Sequence, residues 1–130
     1  MKQLVYIAGP ISKGDMLHNL RQADEAFFAL LRAGFAPINP MWSVYAGSAV
    51  RLKGDVVAVA DATPNGTTHE DWMGIDLPMV SSCVALLRLP GESKGADMEA
   101  AHAGRCGIPV FMSVESLVAW AKNGGLLNAA

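Results

Sequence analysis

The stretch Leu86 to Glu99, reading Leu-Leu-Arg-Leu-Pro-Gly-Glu-Ser-Lys-Gly-Ala-Asp-Met-Glu, does most to constrain the fold. An apolar run reads as a buried strand, Pro90-Gly91 stops it, and Ser93 opens a helix with Gly95 in its first turn and Glu99 one turn further on. A strand that feeds a helix start in this way leaves unpaired amides and the positive dipole end just beyond the strand's carboxyl end, where an anion is welcome. Gly95 removes the side chain that would hold such an anion away. The segment therefore reads as a β-α unit with a site for a phosphorylated ligand and a carboxylate beside it.

The remainder of the chain repeats the alternation. Residues 3 to 8 form a continuous β-rich run ending at Gly9-Pro10, the signature of a strand buried on both faces. A helix is expected near 18 to 33, with Leu20, Ala23, Phe27, Leu30 and Leu31 on one face and Gly34 ending it. Ala36 to Ile38 is a short strand stopped by Asn39-Pro40. Residues 41 to 67 show no clean period before the turn at Pro64-Asn65-Gly66, and a partly helical, lid-like excursion is expected there. Thr67 or Thr68 caps the next helix, whose first turn holds Glu70 and Asp71 and whose buried stripe is Trp72, Ile75, Met79 and Val80; Pro78 argues for a break or kink inside it. Residues 83 to 89 give a strand, 94 to 106 a helix, 109 to 112 a strand, and 114 to 123 a last helix capped by Ser113. This order predicts one α/β domain, a flavodoxin-like or Rossmann-like doubly wound parallel sheet of four or five strands, with ligands beyond the carboxyl ends of the strands. The loops 9 to 14 and 90 to 96 both fall at that edge.

Composition narrows the partners. With 130 residues the chain is long enough for one core, and its formal net charge of -2 gives no basic footprint for a nucleic-acid polymer or an anionic membrane. Its 52% hydrophobic residues and mean hydropathy of +0.27 point to apolar surface covered by another subunit, hence a homodimer or higher homo-oligomer. The N-terminal apolar run is too short for a secretory signal and no segment reaches membrane-spanning length, so cytoplasmic residence is expected. Cys83 and Cys106 are expected as free, buried thiols. His18, His69 and His102 have no zinc spacing, and the lone Glu99-x-x-His102 pair falls short of a di-iron set, so neither metal nor cofactor is expected.

Together, Val-Tyr-Ile-Ala-Gly-Pro at 5 to 10, Gly34 with Ile-Asn-Pro at 38 to 40, Glu-Asp-Trp-Met at 70 to 73 with Asp76, and Ser-Lys-Gly-Ala-Asp-Met-Glu at 93 to 99 with Gly-Ile-Pro-Val at 107 to 110 carry a resemblance. The chain resembles the nucleoside 2-deoxyribosyltransferase superfamily across about residues 3 to 112. It is most similar to small phage and bacterial members of unassigned function and to the branch that hydrolyses the N-glycosidic bond of nucleoside 5'-monophosphates. The resemblance implies a retaining displacement in which a Glu attacks the anomeric carbon, and position 99 matches that nucleophile. A carboxylate suits the task because the transition state is oxocarbenium-like. Read without the resemblance, Glu99 is an ordinary solvated helix residue.

The second carboxylate of the family, which binds a sugar hydroxyl or helps protonate the leaving base, matches either Asp71 or Asp76. Asp71 also reads as helix-start chemistry, whereas Asp76 lies deeper in the stripe, where a carboxylate needs a partner. Ser93, six residues before Glu99, occupies the place where the monophosphate hydrolases tend to have Ser; its other reading is a plain N-cap. Gly9, Pro10, Ile11 and Ser12 match the segment that approaches sugar and phosphate, or else form a simple strand-ending turn. Tyr6 and Trp42 either stack on a base or belong to the core, and Met41, Met73 and Met79 read as core. Arg88, inside an apolar strand, must snorkel to the sheet edge or pair with a carboxylate. Many members of the family it resembles carry another Asp at the start of the strand here occupied by Cys83 and Val84, and this chain lacks it. The implied partner is a small-molecule nucleotide; a nucleotide-binding protein without turnover is the alternative, and a purely structural subunit a third.

Overall fold

The strand-helix alternation is realised as a four-stranded parallel sheet with helices on both faces. The structure is a computed structural model, and it describes residues 1–40, 49–52, 55–59 and 68–127. In chain order the elements are β1 (Leu4–Ala8), α1 (Met16–Ala33), β2 (Ala36–Ile38), β3 (Ala49–Leu52), β4 (Asp55–Val59), α2 (His69–Ser81), β5 (Ala85–Arg88), α3 (Lys94–Arg105), β6 (Val110–Phe111) and α4 (Val114–Asn123). The sheet order is β2-β1-β5-β6, every pairing in it parallel. β1 and β5 are the central strands, and from them the chain winds outward in opposite directions. The switch point between their carboxyl ends is where such sheets bind ligands.

Strand periodicity divides the core in two. Val5 and Ile7 of β1 and Ala85 and Leu87 of β5 face α1 and α4, where Ala23, Ala26, Leu30, Leu117 and Ala121 close one cluster. Tyr6, Ala8 and Leu86 face the other way, onto Val80 of α2 and Ala96 and Ala103 of α3. The alternation places residue 6 beside residue 86 in register, so Tyr6 enters the α2/α3 side of the sheet.

Local chemistry fixes the element ends. Asp15 caps α1 by accepting from the Leu17 and His18 amides, which starts the helix at Met16, ahead of the expected 18. Gly34 ends it in the left-handed region at φ 110. Ser93 caps α3 through the Ala96 amide and Ser113 caps α4 through Ser116.

The parallel sheet has four strands, within the expected four or five. Within 41–67, the described residues form β3 and β4, which pair antiparallel as a separate two-stranded sheet, in keeping with the β-branched Val56, Val57 and Val59. The rest of that expected partly helical, lid-like excursion, with Met41 and Trp42, lies outside the described residues. Other expectations are corrected. Helix α2 runs unbroken through Pro78, its ends held by buried Met73 and Val80. Ile75 is 52% exposed and Leu31 38%, so neither belongs to a buried stripe. Both cysteines are free, but only Cys83 is buried; Cys106, at the C-cap of α3, is exposed. Cys83 precedes β5, donates its thiol to the Met79 carbonyl at 3.2 Å, and burial pushes that thiol up to about 11. Among the described residues no helix is long and apolar enough to cross a membrane.

The loops at the switch point are pressed together. Gly91 sits at φ 113, and a Cβ there would stand 2.8 Å from Cγ of the buried Pro10. Gly91→Ala therefore meets both left-handed strain and a steric overlap, and is expected to cost about 1–3 kcal/mol of stability, read as a lowered urea midpoint.

Candidate active site

Two helices and one strand deliver the central side chains. On α2, His69, Met73, Asp76 and Val80 recur at the spacing of one helix face, and that face packs on α3. On α3, Ala96, Glu99 and Ala103 are the buried positions. Glu99 is only 4% exposed, and the hydroxyl of fully buried Tyr6 donates to its Oε2. Asp76, half-buried, is near enough for its charge to act on both Glu99 and Tyr6. A carboxylate as enclosed as Glu99 needs a partner, and Tyr6 supplies one.

Burial dominates the electrostatics. Desolvation pushes the Glu99 carboxyl up to about 8; the Tyr6 hydrogen bond opposes this, the Asp76 charge adds to it, and the Arg88 guanidinium pulls back. Asp76 is also raised, by burial first, against the hydrogen bonds from Glu99 and Tyr6 and the charge of His69. Tyr6 is raised far above the ordinary phenol range by burial and by Glu99, so it stays a donor. Two neighbouring carboxyls cannot both ionise cheaply, and burial favours the protonated form of each. Such a pair offers both a nucleophile and an acid, depending on which oxygen releases the proton.

Arg88 braces the loop after β5. It is 9% exposed, donates to the carbonyls of Leu89 and Gly91 (the latter at 3.0 Å), and pairs with Asp97 Oδ1 at 2.9 Å. The guanidinium thereby ties the end of β5 to the first turn of α3. On the opposite side, Asn19 Nδ2 donates to the carbonyls of Ile11 at 3.0 Å and Lys13 at 2.8 Å, and Gln22 reaches the Pro90 carbonyl at 3.0 Å.

The sequence candidates separate in space. Tyr6, Asp76 and Glu99 come together; Gly9, Pro10, Ile11 and Ser12 form the loop after β1, packed on the Leu89–Gly91 turn at its Gly9 and Pro10 end. Ser93 and Gly95 open α3. Asp71 is not in the cluster. It is exposed and closes a capping box, accepting from the Thr68 amide at 2.8 Å while its own amide donates to Thr68 Oγ1 at 3.2 Å. Thr-x-x-Asp ahead of a helix is the readable signal for that role. Tyr6 is a core residue through its ring, and its hydroxyl reaches Glu99. Arg88 pairs with a carboxylate, one of its two expected fates. Sequence reasoning passed over Asn19, whose loop contacts have no short-range pattern, and His69, whose ring approaches Gly95: Cε1 lies 3.5 Å from where a Gly95 Cβ would stand.

The four-stranded parallel sheet with helices on both faces is a fold this chain shares with solved proteins. Solved structures similar to it include a 2-deoxyribosyltransferase from Bacillus psychrosaccharolyticus, with a TM-score of 0.55 and 15% identity over 82% of this chain and 69% of that one. A conserved protein from Enterococcus faecalis V583 gives a TM-score of 0.56 and 20% identity, covering 85% of this chain and 62% of that chain's own length. The chain belongs to the DUF4406 family, a domain of unknown function whose model matches residues 3–112. No curated protein matches it.

Proposed function

We propose that the protein cleaves, or transfers across, the N-glycosidic bond of a nucleoside 5'-monophosphate, with Glu99 as the nucleophile. The observation that carries this is the buried Glu99 carboxyl, which accepts from Tyr6 and is raised by burial and by the nearby Asp76 charge, six residues after the Ser93 cap. For reaction the proton on Glu99 passes to Asp76, which leaves Glu99 as the carboxylate. Glu99 bonds to the anomeric carbon as the C–N bond breaks, and the departing base takes the bonding pair and the Asp76 proton. Water or a second base then displaces Glu99, and Asp76 accepts the incoming proton. Tyr6, donating to Oε2, steers which carboxylate oxygen is free to attack.

Ser93, Gly95 and the loop Gly9, Pro10, Ile11 and Ser12 hold the phosphate and the sugar end of the ligand. Ser93 Oγ already accepts from Ala96 at 3.1 Å, and a hydroxyl that accepts still has a proton to donate to a phosphoryl oxygen. The deoxyribosyltransferase fold supports the reaction class. A homodimer or larger homo-oligomer belongs to the same proposal, supported by the exposed Leu17, Phe28 and Met112 at 66%, 50% and 69%.

The test is base release. Wild-type protein incubated with ribo- and deoxyribonucleoside 5'-monophosphates is expected to liberate free base from at least one, followed by chromatography. Tight binding by calorimetry with no base released over hours would instead identify a nucleotide-sequestering protein.

A further inference from the structure

We infer that His69 is the specificity-determining residue of this site, donating to the phosphoryl group of the ligand and so selecting a nucleoside 5'-monophosphate over the free nucleoside; this rests on the function proposed above. His69 is the first residue of α2, and it shares the helix face that carries Met73 and Asp76 toward α3. Its ring carbon Cε1 lies 3.5 Å from the position a Gly95 Cβ would take, with Met73 Cε at 3.7 Å from the same point. Gly95 is the second residue of α3, so the imidazole overhangs the turn whose amides the ligand's phosphate would meet. His69 also acts on the other end of the site, where its charge favours ionised Asp76.

Among the described cations nearby, Arg88 is spent on the Leu89 and Gly91 carbonyls and on Asp97, Lys13 lies 3.9 Å from Glu92 with both side chains well exposed, and Lys94, the first residue of α3, is exposed. Asp71, close by in sequence, is turned back onto the Thr68 amide at 2.8 Å. His69 is exposed, so its ring is open to an incoming ligand, and an imidazole offers an N–H donor when neutral and two when protonated. A phosphoryl group gains from that donor, whereas a free 5'-hydroxyl gains far less.

The experiment uses the full chain carrying Glu99→Gln, so that binding is read without turnover. Calorimetry compares the nucleoside 5'-monophosphates with their dephosphorylated nucleosides, with and without His69→Ala. The expected result is about a tenfold loss of nucleotide affinity on His69→Ala, less than a twofold change for the nucleoside, and partial recovery in His69→Gln, which retains an N–H donor. Unchanged nucleotide affinity, or equal losses for nucleotide and nucleoside, overturns the role of His69 while leaving the function proposed for the site standing. Failure of every nucleotide and nucleoside to bind the Glu99→Gln chain overturns both.

Discussion

Replacing Glu99 by Gln is expected to lower base release about a thousandfold or more while making the folded protein more stable at pH 8. The two effects share one cause. Glutamine is nearly isosteric and keeps an acceptor for the Tyr6 hydroxyl, yet it cannot form the bond to the anomeric carbon. The native carboxyl is pushed up to about 8, principally by burial, from an ordinary value of 4.5. Between those pH values the folded chain holds a proton that the unfolded chain has released. Wild-type stability therefore falls as pH rises across that window, because the unfolded state binds fewer protons there. Gln carries no charge to desolvate, so the variant escapes this fall. Urea denaturation at pH 4.5 and pH 8 is expected to show near-equal stabilities at the lower pH and a gain of about 2–4 kcal/mol for the variant at the higher. A solvated Glu99 would give neither the pH-dependent gain nor the loss of turnover.

The second large effect separates the two aspartates. Asp76→Asn is expected to reduce turnover about a hundredfold, because an amide beside Glu99 has no acidic proton for the departing base. The same change removes a like charge from beside Glu99, so the acid limb of its residual pH-activity profile is expected to move down. Asp71→Ala is the contrasting variant. It dismantles the capping box with Thr68, costing about 1 kcal/mol of stability, and leaves turnover per folded molecule within about twofold of wild type. Steady-state rates corrected for folded fraction distinguish these outcomes. Equal losses in both variants would remove Asp76 from the chemistry.

The main sheet and its helices were legible because each element carries its own local signal. The apolar run of β1, Gly34 closing α1, and Ser93 and Ser113 at their helix starts fix boundaries by short-range chemistry, and these match to within a few residues. The site was legible only in part. Ser93 was legible as a helix start and Glu99 stood out through the resemblance, but the apolar residues of α2 suggested an inward stripe through Trp72 and Ile75. The inward face instead runs through Met73 and Asp76, one position on, because a carboxylate occupies a place where an apolar residue would ordinarily announce burial. Asp71 and Asp76 were indistinguishable by composition; what separates them is a reciprocal bond to Thr68 in one case and a long-range partner, 23 residues away on α3, in the other. The contacts of Arg88 with Gly91 and of Asn19 with Ile11 likewise depend on how loops meet at the switch point, which no periodicity encodes.

Trapping the covalent intermediate tests the central claim most directly. Wild-type protein is mixed with a nucleoside 5'-monophosphate that it cleaves, or with a 2-fluoro sugar analogue of that nucleotide, quenched in acid, digested and examined by mass spectrometry. The expected result is a pentose 5-phosphate added to the peptide spanning α3, with fragmentation placing it on Glu99 and no adduct in Glu99→Gln. Base release that proceeds with the adduct on another residue, or that persists undiminished in the Glu99→Gln chain, would contradict the account.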